Sequence, residues 1–406
     1  MPKTPYDAVL DAARELPRVS TALAAEMLGA SLLGSVYALA ERDRATVVRD
    51  FVGAFLRHTS RRRTEAARAT RAVFAALVPQ AAGAHRARSA PDLPVWADQL
   101  GKVRLCGSWA YGDVYGDQTS YLATFAYDDP HLGGEEHAVV VLVDHNIGIV
   151  KDLFVGEPAD RLLTEVRKGA ETDELVWLSE VDPATLRAQV ESYLRVTDEL
   201  SNLPDGGSMA TDRVLVGARL ALLPPTDLLP PVAPSTVDDP VGLVESFLSS
   251  PDAHTLERTG EPDEATLRYA VRLILDFTQD GPDGDPLRWS PAVVGLFLLD
   301  WVQRRAVLDD DDVTVLPEVL RAWTRWAAGQ RGLPQPARAA IDEAIDVMAP
   351  EFARLYASGE RRGPAVAAVA ELLAEGIDPG DDVAVQRWLA SRPTDPPASG
   401  TIPRPR

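Results

Sequence analysis

Residues 138–155 read A-V-V-V-L-V-D-H-N-I-G-I-V-K-D-L-F-V. Two apolar, β-branched runs flank Asp144, His145, Asn146 and Gly148, and the second run carries Lys151 and Asp152. Apolar runs of this length bounded by turn residues predict two buried strands. The polar residues between them form the densest cluster in the chain. Upstream, Val103 to Trp109 and Ser120 to Tyr127 carry the same strand signals, and Tyr121, Phe125 and Tyr127 share one face by two-residue alternation. G-D-V-Y-G-D-Q at 112–118 is a turn-rich connection bearing Asp113 and Asp117. Strands that follow one another at hairpin distances, without intervening helices, imply an antiparallel sheet.

The parity of the central loop decides which polar side chains can cooperate. With an even loop, such as His145 to Gly148, Asp144 and Lys151 project from one face and Asp152 from the other. With a three-residue loop, Asp144 shares its face with Asp152. The first register suggests an ion pair, the second a pair of carboxylates open to a cation. An imidazole near carboxylates could bind a divalent metal or serve in acid–base chemistry, so Asp144, His145, Lys151 and Asp152 are the catalytic candidates. Asp144, His145 and Asp152 are the metal candidates, with Asp113, Asp117 and Asn146 as further binding residues. The plainer reading is turn chemistry, because Asp, Asn and Gly favour turns without any catalytic role.

Outward from this stretch, the chain reads as an α+β protein. A small antiparallel sheet is flanked by helices, with all-helical N-terminal and C-terminal parts. Residues 1–90 form a basic helical region, and a boundary falls within 81–94. The sheet and its helices occupy 91–223, with Leu175 to Glu180 as an edge strand. Helices are expected from Pro158 to Lys168, from Pro183 to Leu200 behind an Asp182 cap, and from Ala210 to Leu222. Residues 224–240 hold six prolines and mark a semi-rigid linker. Apolar stripes, one opened by the Ser290–Pro291 cap, predict a helical domain over 241–392. Asp309 to Asp312 precede a helix expected near Val315, where carboxylates favour the N-terminus. The tail, 393–406, is rich in Pro and small residues and reads as disordered.

Within the first region, Ser20 is the expected cap of a helix running to Ala40. Met27 to Ala40 is its uncharged apolar part, too short for a membrane span. If the stretches Ala45–His58 and Arg61–Val78 are continuous, Arg57, Arg61, Arg68 and Arg71 fall within one quarter of the circumference, opposite Ala66, Val73, Phe74 and Leu77. Such a stripe is a solvated face or a docking surface for an acidic partner. Nucleic acid comes third, because no aromatic residues interleave with the arginines.

Charge and cysteine content set further bounds. The chain of 406 residues carries a net charge of −20. Lys and Arg against Asp and Glu give +6 for residues 1–90, −14 for 91–232 and −12 for 233–406. The acidic remainder argues against nucleic acid as its main partner. Cys106 is the only cysteine, so no intrachain disulfide exists, which fits a reducing cytoplasm. Within its strand it reads as a buried, inert thiol. His137 and His145 would lie about 26 Å apart along one strand and cannot share a metal. His131 and His137 could, but a solvated acidic loop is the plainer reading. Walker, dinucleotide-glycine, H-E-x-x-H, G-x-S-x-G and EF-hand signatures are all absent from the sequence.

V-L-V-D-H-N-I-G-I-V-K-D at 141–152 resembles a block of an uncharacterised actinobacterial protein family. G-D-V-Y-G-D-Q and L-D-D-D-D-V-T-V-L-P-E-V-L-R-A-W at 308–323 are similar to its other blocks. The resemblance covers most of the chain after residue 90. It implies a cytoplasmic actinobacterial protein and brings no activity, cofactor or site residue. From the helical bulk, the split charge and the lack of a catalytic signature, the first expectation is a non-enzymatic intracellular binding or regulatory protein, its partner a protein or a small molecule and not a membrane. The alternatives are a metal-dependent or acid–base hydrolase at the Asp144–His145 turn, and nucleic-acid binding through the arginine stripe.

Overall fold

The computed structural model describes residues 4–82, 93–204, 208–226, 239–258, 263–281, 284–378 and 381–391. The chain forms two compact units, one built from residues 1–236 with 281–285 and the other from 237–280 with 286–406. The fold is α+β.

In the first unit, strands β1 (Val103–Asp113), β2 (Gln118–Tyr127), β3 (His137–Asp144) and β4 (Ile149–Gly156) form an antiparallel meander. Strand β5 (Val176–Glu180) joins at the free side of β1, as expected of an edge strand, giving the order β4-β3-β2-β1-β5. The central loop is 145–148, with Asp144 opposite Ile149. A bulge then intervenes: Val143 faces Val150 but Leu142 faces Asp152, so Lys151 is the extra residue. Because Leu142 and Asp144 project from the same face, the bulge returns Asp152 to the Asp144 side. The even-loop expectation of opposite faces fails there, since it assumes an unbroken alternation.

Both faces of the sheet are covered, which is why β3 reads as a continuous apolar run rather than an alternating one. Around the sheet run helices α1 (Pro5–Ala12), α2 (Ala22–Leu39), α3 (Arg44–Thr59), α4 (Glu65–Leu77), the short α5 (Pro79–Ala82) and α6 (Pro130–Gly133), α7 (Ala159–Thr172), α8 (Pro183–Asp198) and α9 (Met209–Leu220). Phe125, Val139, Val141, Val143, Val150 and Leu153 pack into one apolar cluster with residues of α2, α3, α4, α8 and α9. Residues of 1–82 and the sheet thus share a core. On the other face, Leu122, Ala138 and Val140 meet Ala159 and Leu163 of α7. The β4 edge is closed by side chains. The Val150 N–H donates to Thr197 Oγ1 (2.9 Å) and the Val155 N–H to Asp212 Oδ2 (2.9 Å). Filling the donors of an edge strand removes a template for further strand addition.

Local chemistry shifts several expected boundaries. Thr21, not Ser20, caps α2, accepting from the Ala24 N–H at 3.3 Å. The helix still takes in Glu26, as the expected span did. Among the described residues α2 is long and apolar enough to cross a membrane, and half of it is buried within the fold. Gly34 lets α2 and α9 approach closely: a Cβ there would stand 2.5 Å from the Ala210 carbonyl oxygen. Helices α3 and α4 are not continuous, because Thr64 caps a new helix. Cys106 is exposed, not buried, since it falls at a bulge where β1 slips against β2 between Leu105 and Gly107. His137 is fully buried rather than part of a solvated loop.

The second unit is helical: α10 (Pro240–Leu248), α11 (Glu264–Asp280), α12 (Pro291–Leu296), α13 (Val302–Arg305), α14 (Asp310–Gln330), α15 (Gln335–Ser358), α16 (Pro364–Ala374) and α17 (Asp382–Ala390). A π-helical turn, Phe297–Trp301, joins α12 to α13. Ser290 caps α12 through the Val293 N–H (3.0 Å). Helix α14 starts at Asp310, earlier than expected, because Asp309 and Asp312 form a reciprocal capping box. Its core is aromatic, with Trp289 and Trp323 both donating Nε1–H to the Pro286 carbonyl at 2.9 and 3.0 Å. The expected boundary within 81–94, the linker 224–240 and the tail 393–406 lie largely outside the described residues.

Candidate functional site

At the hairpin end, each sequence candidate has an assigned partner. The Asp113 carboxylate accepts the backbone N–H groups of Gly116 (2.8 Å), Asp117 (3.0 Å) and Gln118 (2.7 Å), and so builds the β1–β2 turn. That turn does fold toward the β3–β4 loop: the His145 N–H donates to the Asp117 carbonyl (2.8 Å), and Gln118 Nε2 donates to Asp144 Oδ2 (3.2 Å). Asp144 Oδ1 accepts the Asn146 N–H (3.0 Å), a local turn, and Lys151 Nζ stands 3.9 Å from Oδ2. Asp152 Oδ1 takes the N–H of its neighbour Leu153 (2.8 Å). The His145 ring is held between two hydroxyls, Nε2 against Thr119 Oγ1 (2.9 Å) and Nδ1 against Tyr193 Oη (3.0 Å).

The hairpin end is thus a hydrogen-bonded closure of two adjacent turns. Asp144 and Lys151 make the ion pair of the even register. Among the described residues, no three of His, Cys, Asp and Glu converge so as to hold a metal. The structure therefore does not gather Asp144, His145 and Asp152 around a cation. The arginine stripe is also taken apart by the break between α3 and α4. Arg71 Nη1 donates to the carbonyls of Thr59 (2.6 Å) and Arg62 (3.1 Å) and ties the two helices together, while Arg57 and Arg61 are exposed.

Sequence reasoning missed a cavity of about 730 Å³ in the first unit. Its walls come from α2, α3, the end of α4 with the following turn, Leu100–Gly101 and α9. Ala, Val and Leu make up most of the surface, and Arg49, Arg213 and Arg219 bring charge to it. Two buried polar networks stand behind this wall.

In the first network, Arg219 Nη2 donates to Glu26 Oε2 and to Tyr127 Oη (2.8 Å), and Arg219 Nε donates to His137 Nε2 (2.9 Å). The Tyr127 hydroxyl donates to Glu26 Oε2 (2.6 Å), and the Gly101 N–H to Glu26 Oε1 (2.7 Å). Glu26, Arg219 and His137 are each at most 1% exposed. Burial, followed by the charge of Arg219, pushes the His137 ring down to about 3, so it stays neutral and accepts from the guanidinium. Burial and the Glu26 charge raise the Tyr127 hydroxyl far above its ordinary value.

In the second network, Arg213 grips Asp198 with two bonds, Nη2 to Oδ2 (2.7 Å) and Nε to Oδ1 (3.2 Å). Tyr37 Oη donates to Asp198 Oδ1 (2.6 Å), and the Arg44 and Arg213 guanidinium groups lie over the Tyr37 ring at 5.8 and 6.0 Å. Arg213 Nη1 runs along the helix past Gly217, where a Cβ would come within 2.9 Å of it.

Each network neutralises its arginine from the protein side, leaving the cavity wall without a carboxylate among the described residues. The sequence carried one sign of this, Glu26 as the single charge in an otherwise uncharged helix from Ala22 to Leu39. A buried carboxylate requires a partner. Comparison of the chain with protein-family models, curated proteins and solved structures yields no match in any of the three.

Proposed function

We propose that this chain is a non-enzymatic intracellular binding protein that takes a small molecule into the cavity of its first unit. The observation that supports this most is the cavity itself, about 730 Å³. That volume falls among small-molecule sites, which run to roughly 300–1,000 Å³ and are mostly apolar with a few fixed polar groups. Its wall carries no His, Cys, Asp or Glu among the described residues, and its one tyrosine, Tyr37, donates its hydroxyl to Asp198, so the wall offers chiefly surface for binding. The two buried networks stiffen the α2–α9 pair that forms the wall, which lowers the ordering cost of taking up a ligand.

A hydrolase at the hairpin end has less support. Both His145 ring nitrogens are engaged by hydroxyls, and the Asp113 carboxylate is taken up by its own turn. Binding through the arginine stripe loses its geometric basis once α3 and α4 separate.

The test is a thermal-shift screen of the full chain against small apolar and amphipathic molecules, repeated with Ala218→Phe, which fills the cavity from its α9 wall. Binders raise the melting temperature of the parent and leave the variant unmoved. A screen without a single binder, or binders indifferent to Ala218→Phe, would remove this reading.

A further inference from the structure

Resting on the proposed cavity, we infer that its ligand is an amphipathic anion, a molecule with an apolar body and one acidic head group. The chain carries a net charge of −20, yet the charged side chains on this wall are all arginine. That departure from composition has a structural origin. Glu26 and Asp198, the counter-charges of Arg219 and Arg213, lie behind the wall in the buried networks.

The bonding leaves an edge of the Arg213 guanidinium, 14% exposed, for a ligand, while Arg219, 1% exposed, adds its charge from just beneath the wall. Among the described residues the bonds made by Arg213 and Arg219 run through Nε and Nη2, and neither Nη1 is among the fully buried polar atoms without a partner. Arg49 is half-exposed, its ion pair among the described residues a loose one to Asp50 at 3.5 Å, and adds a positive group from α3. A carboxylate or similar oxyanion is the acceptor that such donors recognise. A cationic ligand would lie against guanidinium groups with no carboxylate on the wall, and a neutral apolar one would leave the open N–H groups without acceptors. The remaining wall, including Val48, Leu77, Val78, Val214 and Leu222, suits an aliphatic or aromatic body.

The experiment uses three probes with one apolar body, namely decanoate, 1-decanol and decylammonium, titrated calorimetrically into the full chain at low ionic strength. Decanoate is expected to bind roughly tenfold or more tightly than 1-decanol, with decylammonium the weakest. Arg49→Gln, a surface change that leaves both buried networks intact, is expected to weaken decanoate severalfold without altering 1-decanol. Thr46→Trp, a bulky change at an exposed wall residue of α3, is expected to abolish both. Equal binding of all three probes, blocked by Thr46→Trp, would overturn the anion assignment while leaving the cavity as a binding site. No binding of any probe to the parent chain overturns the anion assignment, and the wider cavity reading then stands or falls on the Ala218→Phe screen.

Discussion

Arg219 of α9 donates to Glu26 of α2 across the interior of the first unit, and each side chain is 1% exposed. The pair joins two helices separated by the whole sheet in sequence. Glu26 also accepts from Tyr127 Oη and the Gly101 N–H, so its removal would leave three donors unsatisfied at once. Glu26→Ala is expected to cost roughly 3–5 kcal/mol, because an uncompensated buried guanidinium remains. Glu26→Met combined with Arg219→Met is expected to cost less than the two single changes summed, since neither charge is then stranded. Urea unfolding of the four proteins measures the coupling, and strict additivity would show that the pair does not act as a unit.

His137 makes the same network sensitive to acid. Burial and the neighbouring Arg219 charge depress its ring from 6.5 to about 3, so the folded state resists a proton that the unfolded chain accepts. Between these values the unfolded state binds more protons, and stability falls as pH falls. The contribution is complete above pH 6.5 and is lost progressively toward pH 3, with a ceiling on the order of 5 kcal/mol. His137→Gln keeps an acceptor facing Arg219 Nε but cannot titrate. Its stability is expected to fall less steeply than that of the parent from pH 6.5 to pH 4.5, as read by urea midpoints at half-unit steps.

The meander was legible in the sequence because its information is local. Alternation fixed the faces of β2, the apolar run marked β3, and Asp182–Pro183 and Ser290–Pro291 marked helix starts that the structure reproduces. The bulge at Lys151 was not legible, since it depends on how β4 settles against Leu142. The break between α3 and α4 lay hidden because apolar spacing continues across it, although Thr64–Glu65 carries a cap signal. The cavity was the least visible feature. Its wall joins common residues from segments far apart in the chain, and only the fold makes Arg49, Arg213 and Arg219 neighbours of one space.

Asp113 separates turn chemistry from catalysis at the hairpin end. Its three backbone acceptor bonds hold the β1–β2 turn against the β3–β4 loop. Asp113→Ala is expected to destabilise the protein by roughly 2–4 kcal/mol, and Asp113→Asn, which keeps one carbonyl acceptor, by about half as much. By contrast, Lys151→Ala removes only a half-exposed contact at 3.9 Å and is expected to cost under ~1 kcal/mol. Chemical denaturation ranks the three variants, and a Lys151 effect as large as that of Asp113 would mean the ion pair carries more of the turn than its geometry implies.

Two glycine-to-alanine changes in neighbouring helices are expected to act in opposite directions. At Gly34 a new Cβ would stand 2.5 Å from the carbonyl oxygen of Ala210, and backbone cannot move aside without parting α2 from α9. Gly34→Ala is therefore expected to cost roughly 1–3 kcal/mol. At Gly53 the nearest atom to a new Cβ is the end of the flexible Arg57 side chain, 3.5 Å away. Gly53→Ala then gains helix propensity and is expected to stabilise by up to about 1 kcal/mol. Because α9 carries Arg213 and Arg219, Gly34→Ala should also displace the charged wall and weaken decanoate binding, whereas Gly53→Ala should leave it unchanged. Calorimetry on both variants checks this, and parent-like affinity in Gly34→Ala would show that the cavity does not depend on the close α2–α9 contact.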